Sequence, residues 1–227
     1  LFHIKGYDIL IEAFAKIVHD NNFKLTIVGE GNQRTLLQQL IVKHNLQSKV
    51  LLVGRKSRPE VADILANSDV YVSSSRNENF SVSVLEALSV GLPVVATICG
   101  GIKECINGSN GLLVPTEDVN ALTSAMLKIT QNISNYNRES IAQDFENRFS
   151  TKTIVKNIFP NCSTICVFAP TLKLFIPLKY PLKTAPIVTK NTAGDKAFIE
   201  SFASSISNIS SDINPEKTFK ITYILKN

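Results

Sequence analysis

Two carboxylates separated by seven residues stand out in the chain. Glu78 lies in a loop, and Glu86 lies inside the segment that follows, patterned as a helix, Val82–Val90, closed by Gly91. Between them Ser81 is suited to cap that helix at its start. The amides of about Ser81–Ser83 then lack partners inside the helix and, with the helix dipole, form a place for a phosphate. Glu86 falls on the same helix face as Ser83, three positions on. A carboxylate there can accept two hydrogen bonds from a ribose diol whose phosphates rest on the helix start. Glu78 is then near a sugar beyond the diphosphate. Each glutamate taken alone reads more readily as a solvated charge. A glycosidase acid/base pair is another use of two carboxylates in a cleft, but it leaves the phosphate-type helix start without a role. Lys5, followed at once by Gly6, adds a compact cation.

Alternating segments must position these groups. Tyr7–His19 has apolar residues at helical spacing, and Thr35–His44, Pro59 to about Asn67 and Asp118–Thr130 are further expected helices. Short apolar runs at Phe23–Val28, Val50–Val53, Val70–Val72, Pro93–Ala96 and Gly111–Val114 read as strands buried on both faces. Strands alternating with helices predict an α/β fold, a doubly wound Rossmann-like parallel sheet. Ligands of such sheets bind at the carboxyl ends of the strands. Those ends are Gly29–Gly31, Gly54–Lys56, Ser73–Phe80 and Thr97–Gly101, all rich in Gly, Ser or charge. Gly29-Glu30-Gly31 opens like a dinucleotide fingerprint, but Arg34 occupies the third glycine position and the fingerprint fails.

In this order the segments resemble the C-terminal, nucleotide-sugar-binding half of the retaining GT-B glycosyltransferases called group 1, or family 4. Lys5-Gly6 with Ile11-Glu12-Ala13-Phe14 is similar to the family's Lys-Gly helix start. Val28-Gly29-Glu30-Gly31 is similar to its glycine turn, and Ser68–Ser75 to the strand before the active loop. Glu78 and Glu86 reproduce its Glu-x7-Glu spacing, followed by Gly91-Leu92-Pro93-Val94-Val95-Ala96. Gly100-Gly101-Ile102 with Glu104, Asn107-Gly108 and Asn110–Val114 complete the resemblance over residues 1–158.

The resemblance implies transfer of a sugar from a nucleotide-diphosphate sugar (UDP-, GDP- or ADP-linked), with retention at the anomeric carbon and without a metal or other cofactor. It implies that Lys5 contacts the diphosphate and that the amides of Asn79, Phe80, Ser81 and Val82 hold the β-phosphate. Glu86 would hold the ribose and Glu78 would lie beside the transferred sugar, with Lys5 and Glu78 the catalytic pair. Gly29 and Gly31 would line the donor site, and Arg55 the region of the base, although Arg55 and Lys56 by themselves read rather as a solvated turn. The family's usual Arg a few residues before this Lys would fall ahead of Leu1. That implies a chain truncated at its N-terminus, its acceptor domain and acceptor lying elsewhere. Asn79 and Ser81 stand where glycines are common, and Lys103 replaces a proline. No Asp-x-Asp occurs in residues 1–158, in keeping with metal-independent chemistry. A sugar-nucleotide epimerase of the same architecture, or a non-catalytic nucleotide-binding module, would share these features.

Composition divides the 227 residues near Phe159. Residues 1–158 carry 16 Lys/Arg against 15 Asp/Glu, and residues 159–227 carry 8 Lys against 4 acids. Of the net charge of +5, +4 therefore lies in the tail, and the surplus is no nucleic-acid signal for the domain with the chemistry. Residues 1–158 are expected to form the nucleotide-sugar-binding domain, and 159–227 a basic α+β tail or a fragment of a further domain. In that tail Thr164–Ala169 and Phe219–Leu225 read as strands and Asp195–Ile206 as a helix, while residues 139–158 offer a last helix for the first domain. With 44% hydrophobic residues the chain is not of the disordered class, and four cysteines are too few for a disulfide scaffold. Cys99, Cys105, Cys162 and Cys166 are expected as buried free thiols, and His3, His19 and His44 have no nucleophile pattern beside them. Cys162–Leu178 is interrupted by Pro170, Lys173 and Pro177 and reads as a strand or surface segment, not a span. With no signal-peptide pattern, the expected location is the cytoplasm, with contact to a membrane's cytoplasmic face through the tail.

Overall fold

A computed structural model describes residues 1–18, 22–150, 153, 154, 157 and 219–224. The strands are β1 (Phe23–Val28), β2 (Val50–Gly54), β3 (Val70–Ser73), β4 (Val94–Thr97), β5 (Gly111–Val114) and β6 (Phe219–Ile224). The helices are α1 (Tyr7–Ala15), α2 (Arg34–Lys43), α3 (Arg58–Ala66), α4 (Val82–Ser89), α5 (Ile102–Cys105), α6 (Val119–Gln131) and α7 (Arg138–Phe149). A single 3₁₀ turn, His3–Lys5, precedes α1. The expected strands and helices from Tyr7 to Gln131 are all present, with ends displaced by one or a few residues. Helix ends depend on caps that periodicity does not show. Asp118 accepts from Ala121 N at 2.8 Å and starts α6 one residue later than the periodic pattern does. At α3 the Glu60 carboxylate accepts from Ser57 N at 2.8 Å, a capping box with Pro59 in the first turn. The expected segments Thr164–Ala169, Asp195–Ile206 and Cys162–Leu178, and Cys162, Cys166 and His19, lie outside the described residues.

The six strands form one parallel sheet in the order β2-β1-β6-β3-β4-β5. Helices α1, α2 and α6 contribute Phe14, Leu37, Ile41, Leu122, Met126 and Ile129 to the core on one face. Helices α3 and α4 cover the other with Val61, Leu65, Val84 and Leu88. All four residues of β3 and of β4 are buried, as strands sandwiched by helices must be. Among the described residues no helix is long and apolar enough to cross a membrane.

Strand β6 has a place that its sequence does not announce. It pairs with β1 from Phe23↔Phe219 to Val28↔Ile224 and with β3 at Val70↔Ile221 and Tyr71↔Thr222. Ile221 is fully buried. Leu1–Asn147 and this strand belong to one compact unit, so the sheet draws on both sides of the composition boundary near residue 158. Since β1 leads outward to β2 and β3 outward to β4 and β5, the chain's direction reverses between β1 and β3. The crevice for a ligand is therefore expected above that point, at the strands' carboxyl ends.

Candidate functional site

The loop after β3, Ser74–Ser81, meets the 3₁₀ turn His3–Lys5 at this edge of the sheet. Gly6 ends the turn at φ 64°, and a Cβ there would lie 2.0 Å from the Ser74 carbonyl oxygen. Only glycine allows this approach. Ser74, itself buried, donates its hydroxyl to the carbonyls of Lys5 (3.1 Å) and Gly6 (2.8 Å). These contacts hold the Lys5 backbone against the loop, and its side chain reaches along it. Lys5 Nζ donates to Glu78 Oε2, and the two side chains remain 20% and 17% exposed. The two residues assigned to the chemistry thus form an ion pair that is shielded yet open at one side.

Ser81 precedes α4 in extended conformation, as a residue before a helix should. The expected side-chain cap is not made. Its hydroxyl instead lies 3.1 Å from Ser83 Oγ, which also accepts from Tyr71 OH at 2.8 Å. Those hydroxyls are held by one another, and the first amides of α4 keep the outward orientation that any helix start has. Asn79 and Val82 are exposed and Phe80 is half-buried, while Ser81 between them is buried. Glu86 sits one turn inside α4, half-buried, with one carboxylate oxygen buried.

The loop after β4 supports this loop from behind. Gly100, at φ 52°, packs so closely that a Cβ would lie 1.6 Å from the Glu78 carbonyl oxygen. Gly101 N donates to Asn79 O at 2.9 Å, and the Phe80 ring covers Gly101. Thr97 donates its hydroxyl to Ser75 O at 2.6 Å, and Cys99 Sγ to the same oxygen at 3.4 Å. Burial pushes the Cys99 thiol up; the Thr97 hydrogen bond and Lys5 act against this, and the Glu78 charge adds to it. At neutral pH it stays a thiol. Cys105 is buried, Cys99 only half-buried, and neither is in a disulfide.

Gly29, Gly31 and Arg55 lie at the same edge but toward β2. Gly29 N donates to Gly54 O at 2.8 Å, which joins the ends of β1 and β2. Arg55 is exposed. Lys56 pairs with Glu60 at 2.9 Å, the solvated turn of its simpler reading. Lys103 is exposed. Asn79 does not adopt positive φ: among described non-glycine residues only Asn45 and Glu117 do. The left-handed residue that shapes the loop is Gly100, on a neighbouring segment.

Sequence reasoning missed Arg76. Its guanidinium donates to both carboxylate oxygens of Asp8 at 2.8 Å, to His3 O at 2.7 Å, and to Glu117 through Nε and, at 3.4 Å, Nη2. Its backbone N donates to Ile4 O at 2.8 Å. Burial pushes the Asp8 carboxyl up, but hydrogen bonds and charge from Arg76 outweigh this and leave it below its ordinary range. An arginine two residues before Glu78 was the available signal, and no spacing rule connects it to Asp8 or Glu117.

An uncharacterized glycosyltransferase of Methanocaldococcus jannaschii is 40% identical over 129 residues, 56% of this chain and 35% of that protein. N-acetyl-alpha-D-glucosaminyl L-malate synthase of Bacillus anthracis is 31% identical over 149 residues, 63% of this chain and 39% of its own length. The chain thus spans well under half the length of these relatives. Among solved structures, Anabaena Alr3699/HepE in complex with UDP-glucose superposes with a TM-score of 0.61 at 25% identity, covering 70% of this chain and 45% of that one. The profile of the group 1 glycosyl transferases matches residues 1–132, the stretch that builds the Lys5–Glu78 site, and the chain belongs to that family.

Proposed function

We propose that this chain is the donor-binding half of a retaining, metal-independent glycosyltransferase that uses a nucleotide-diphosphate sugar. The observation that carries the reading is the Lys5–Glu78 ion pair set beside the start of α4 at the carboxyl edge of the sheet. A departing nucleoside diphosphate gains negative charge, and preorganised donors aimed at that charge lower the barrier. Lys5 Nζ and the first amides of α4 are two such donors. A diphosphate there competes with Glu78 for Lys5, so the Glu78 carboxylate is released toward the sugar as the phosphates dock. Its negative charge then faces the anomeric carbon as positive charge develops there. Glu86, one turn deeper, accepts from the ribose hydroxyls, and Arg55 borders the base. The relative solved with UDP-glucose supports a uridine diphosphate donor.

A thermal-shift panel of UDP-, GDP- and ADP-sugars tests the reading on the purified chain. A donor present at 100 times its Kd stabilises by about 2.7 kcal/mol. A shift with one nucleotide class and not the others identifies the base, and it should survive addition of EDTA. No shift with any nucleotide would overturn the donor-site reading. The chain alone is expected to bind donor without transferring sugar, because GT-B transfer needs a second domain across the cleft. Donor-dependent transfer by residues 1–227 would contradict that.

A further inference from the structure

We propose that Arg76 is a positioning residue for the donor site: by clamping the His3–Lys5 turn to the loop that carries Glu78, it sets where the Lys5 ammonium stands. The inference rests on the donor-site reading above and adds a residue to it. Lys5 has a long, flexible side chain, and a cation that wanders gains little from a diphosphate. The turn that bears it is a single 3₁₀ turn at the start of the described chain, an element too short to hold itself. Its rigidity must come from what it touches.

Ser74 supplies part of that contact, and Arg76 supplies two further bonds. It hydrogen-bonds two successive carbonyls of the turn, His3 O through its side chain and Ile4 O through its own backbone. The same guanidinium grips Asp8, in the first turn of α1, by a two-pronged pair at 2.8 Å on each prong. Planar, bidentate pairing of this kind fixes direction as well as distance. The third grip is on Glu117, in the loop between β5 and α6. Glu117 is held at φ 60°, a conformation that side chains other than Gly, Asn or Asp rarely adopt. Arg76 thereby ties three segments to one plane: the turn with Lys5, the start of α1, and the β5–α6 loop. Two residues on, the same backbone places Glu78. One residue therefore ties the turn that bears Lys5 to the loop that bears Glu78. A surface arginine serving only stability would not gather the two carbonyls that immediately precede the proposed phosphate ligand.

The test is a double-mutant cycle on donor affinity, read by titrating UDP-glucose into the full 227-residue chain by calorimetry. Lys5→Met and Arg76→Met are each expected to weaken binding about tenfold, the scale of coupled neighbours. The double variant should bind within about twofold of Lys5→Met alone, because Arg76 acts through Lys5. The dependence of affinity on salt should flatten in Arg76→Met as it does in Lys5→Met. Arg76→Lys keeps the charge but not the fork and should recover only part of the loss. If Arg76→Met is poorly folded, Asp8→Asn loosens the same clamp from the α1 side and should lower affinity with the same coupling to Lys5. Losses that add in full, or an Arg76→Met chain that binds within twofold of the unsubstituted one, overturn the proposal. Failure of the unsubstituted chain to bind overturns the donor-site reading and this inference with it.

Discussion

Replacing Gly100 by alanine should disarm the site without touching a charged residue. The new Cβ would be built 1.6 Å from the carbonyl oxygen of Glu78 and 2.9 Å from that of Asn79. Contacts under 3.0 Å essentially do not occur for real Cβ atoms, so one segment must retreat by about 1.4 Å to relieve the first of them. The obstacle is backbone, not the far end of a flexible side chain, so rotation does not relieve it. Alanine at φ 52° adds about 1–2 kcal/mol for the left-handed conformation, and forced repacking about 1–3 kcal/mol. The substitution should thus cost about 2–5 kcal/mol in stability, shared between strain and displacement of the Glu78–Phe80 loop. A misplacement of about 1 Å in a positioning segment is enough for a hundredfold loss of function. Urea melts and UDP-glucose titration of Gly100→Ala measure the two effects. Gly108→Ala is the control, because a Cβ there meets nothing within 4 Å. Should Gly100→Ala melt and bind as the unsubstituted chain does, the packing of the two loops has been misjudged and the argument fails.

Two further outcomes follow from the same geometry. Glu86→Ala should weaken donor binding at least about tenfold by removing charge-assisted hydrogen bonds to the ribose, whereas Glu78→Gln should leave binding within about threefold, since it frees Lys5 for the phosphates. The opposite order in a titration would exchange the two roles. Acid stability should depend on two carboxylates away from the chemistry. Hydrogen bonds from Lys56 and then from Ser57 hold Glu60 at about 2 against its ordinary 4.5, and Asp8 is lowered from its ordinary 3.8. Groups lowered in the folded state stabilise above their unfolded values, and that stability drains as pH falls toward the folded ones. Glu60→Gln and Asp8→Asn should therefore each shrink the loss of urea resistance between about pH 5 and about pH 3. An unchanged loss would show that neither contact matters to folding.

The site was partly legible in the chain. Lys5, Glu78 and the start of α4 were readable because a lysine before a glycine turn, a serine before a helix and a carboxylate one turn inside it are local patterns. The meeting of Lys5 with Glu78 was implied only by order along the chain, and the structure supplies the contact across 73 residues. Arg76, Ser74 and Gly100 were not readable. Ser74 and Arg76 act on partners 41 to 73 residues away, and Gly100 meets the loop 22 residues before it. No periodicity encodes which loop will lie against which. Asn79 stands where glycines are common, yet the left-handed residue at this contact is Gly100 on the neighbouring loop, since a close approach constrains both loops and either one can carry the glycine.

The alternation of apolar runs and helical patterns was enough to establish a parallel, doubly wound sheet, because strands buried on both faces leave that trace in the sequence. It also located the polar loops at one edge, where ligands of such sheets bind. Only tertiary structure decided that the strand from beyond residue 218 lies between β1 and β3. A short apolar strand has two free edges and no mark of its neighbours, and the slot it fills is defined by strands 151 and 196 residues earlier, measured at Ile221. The same holds for the clamp at Arg76. Residue types say which bonds a guanidinium can make, and the fold alone says which carbonyls and carboxylates stand within reach.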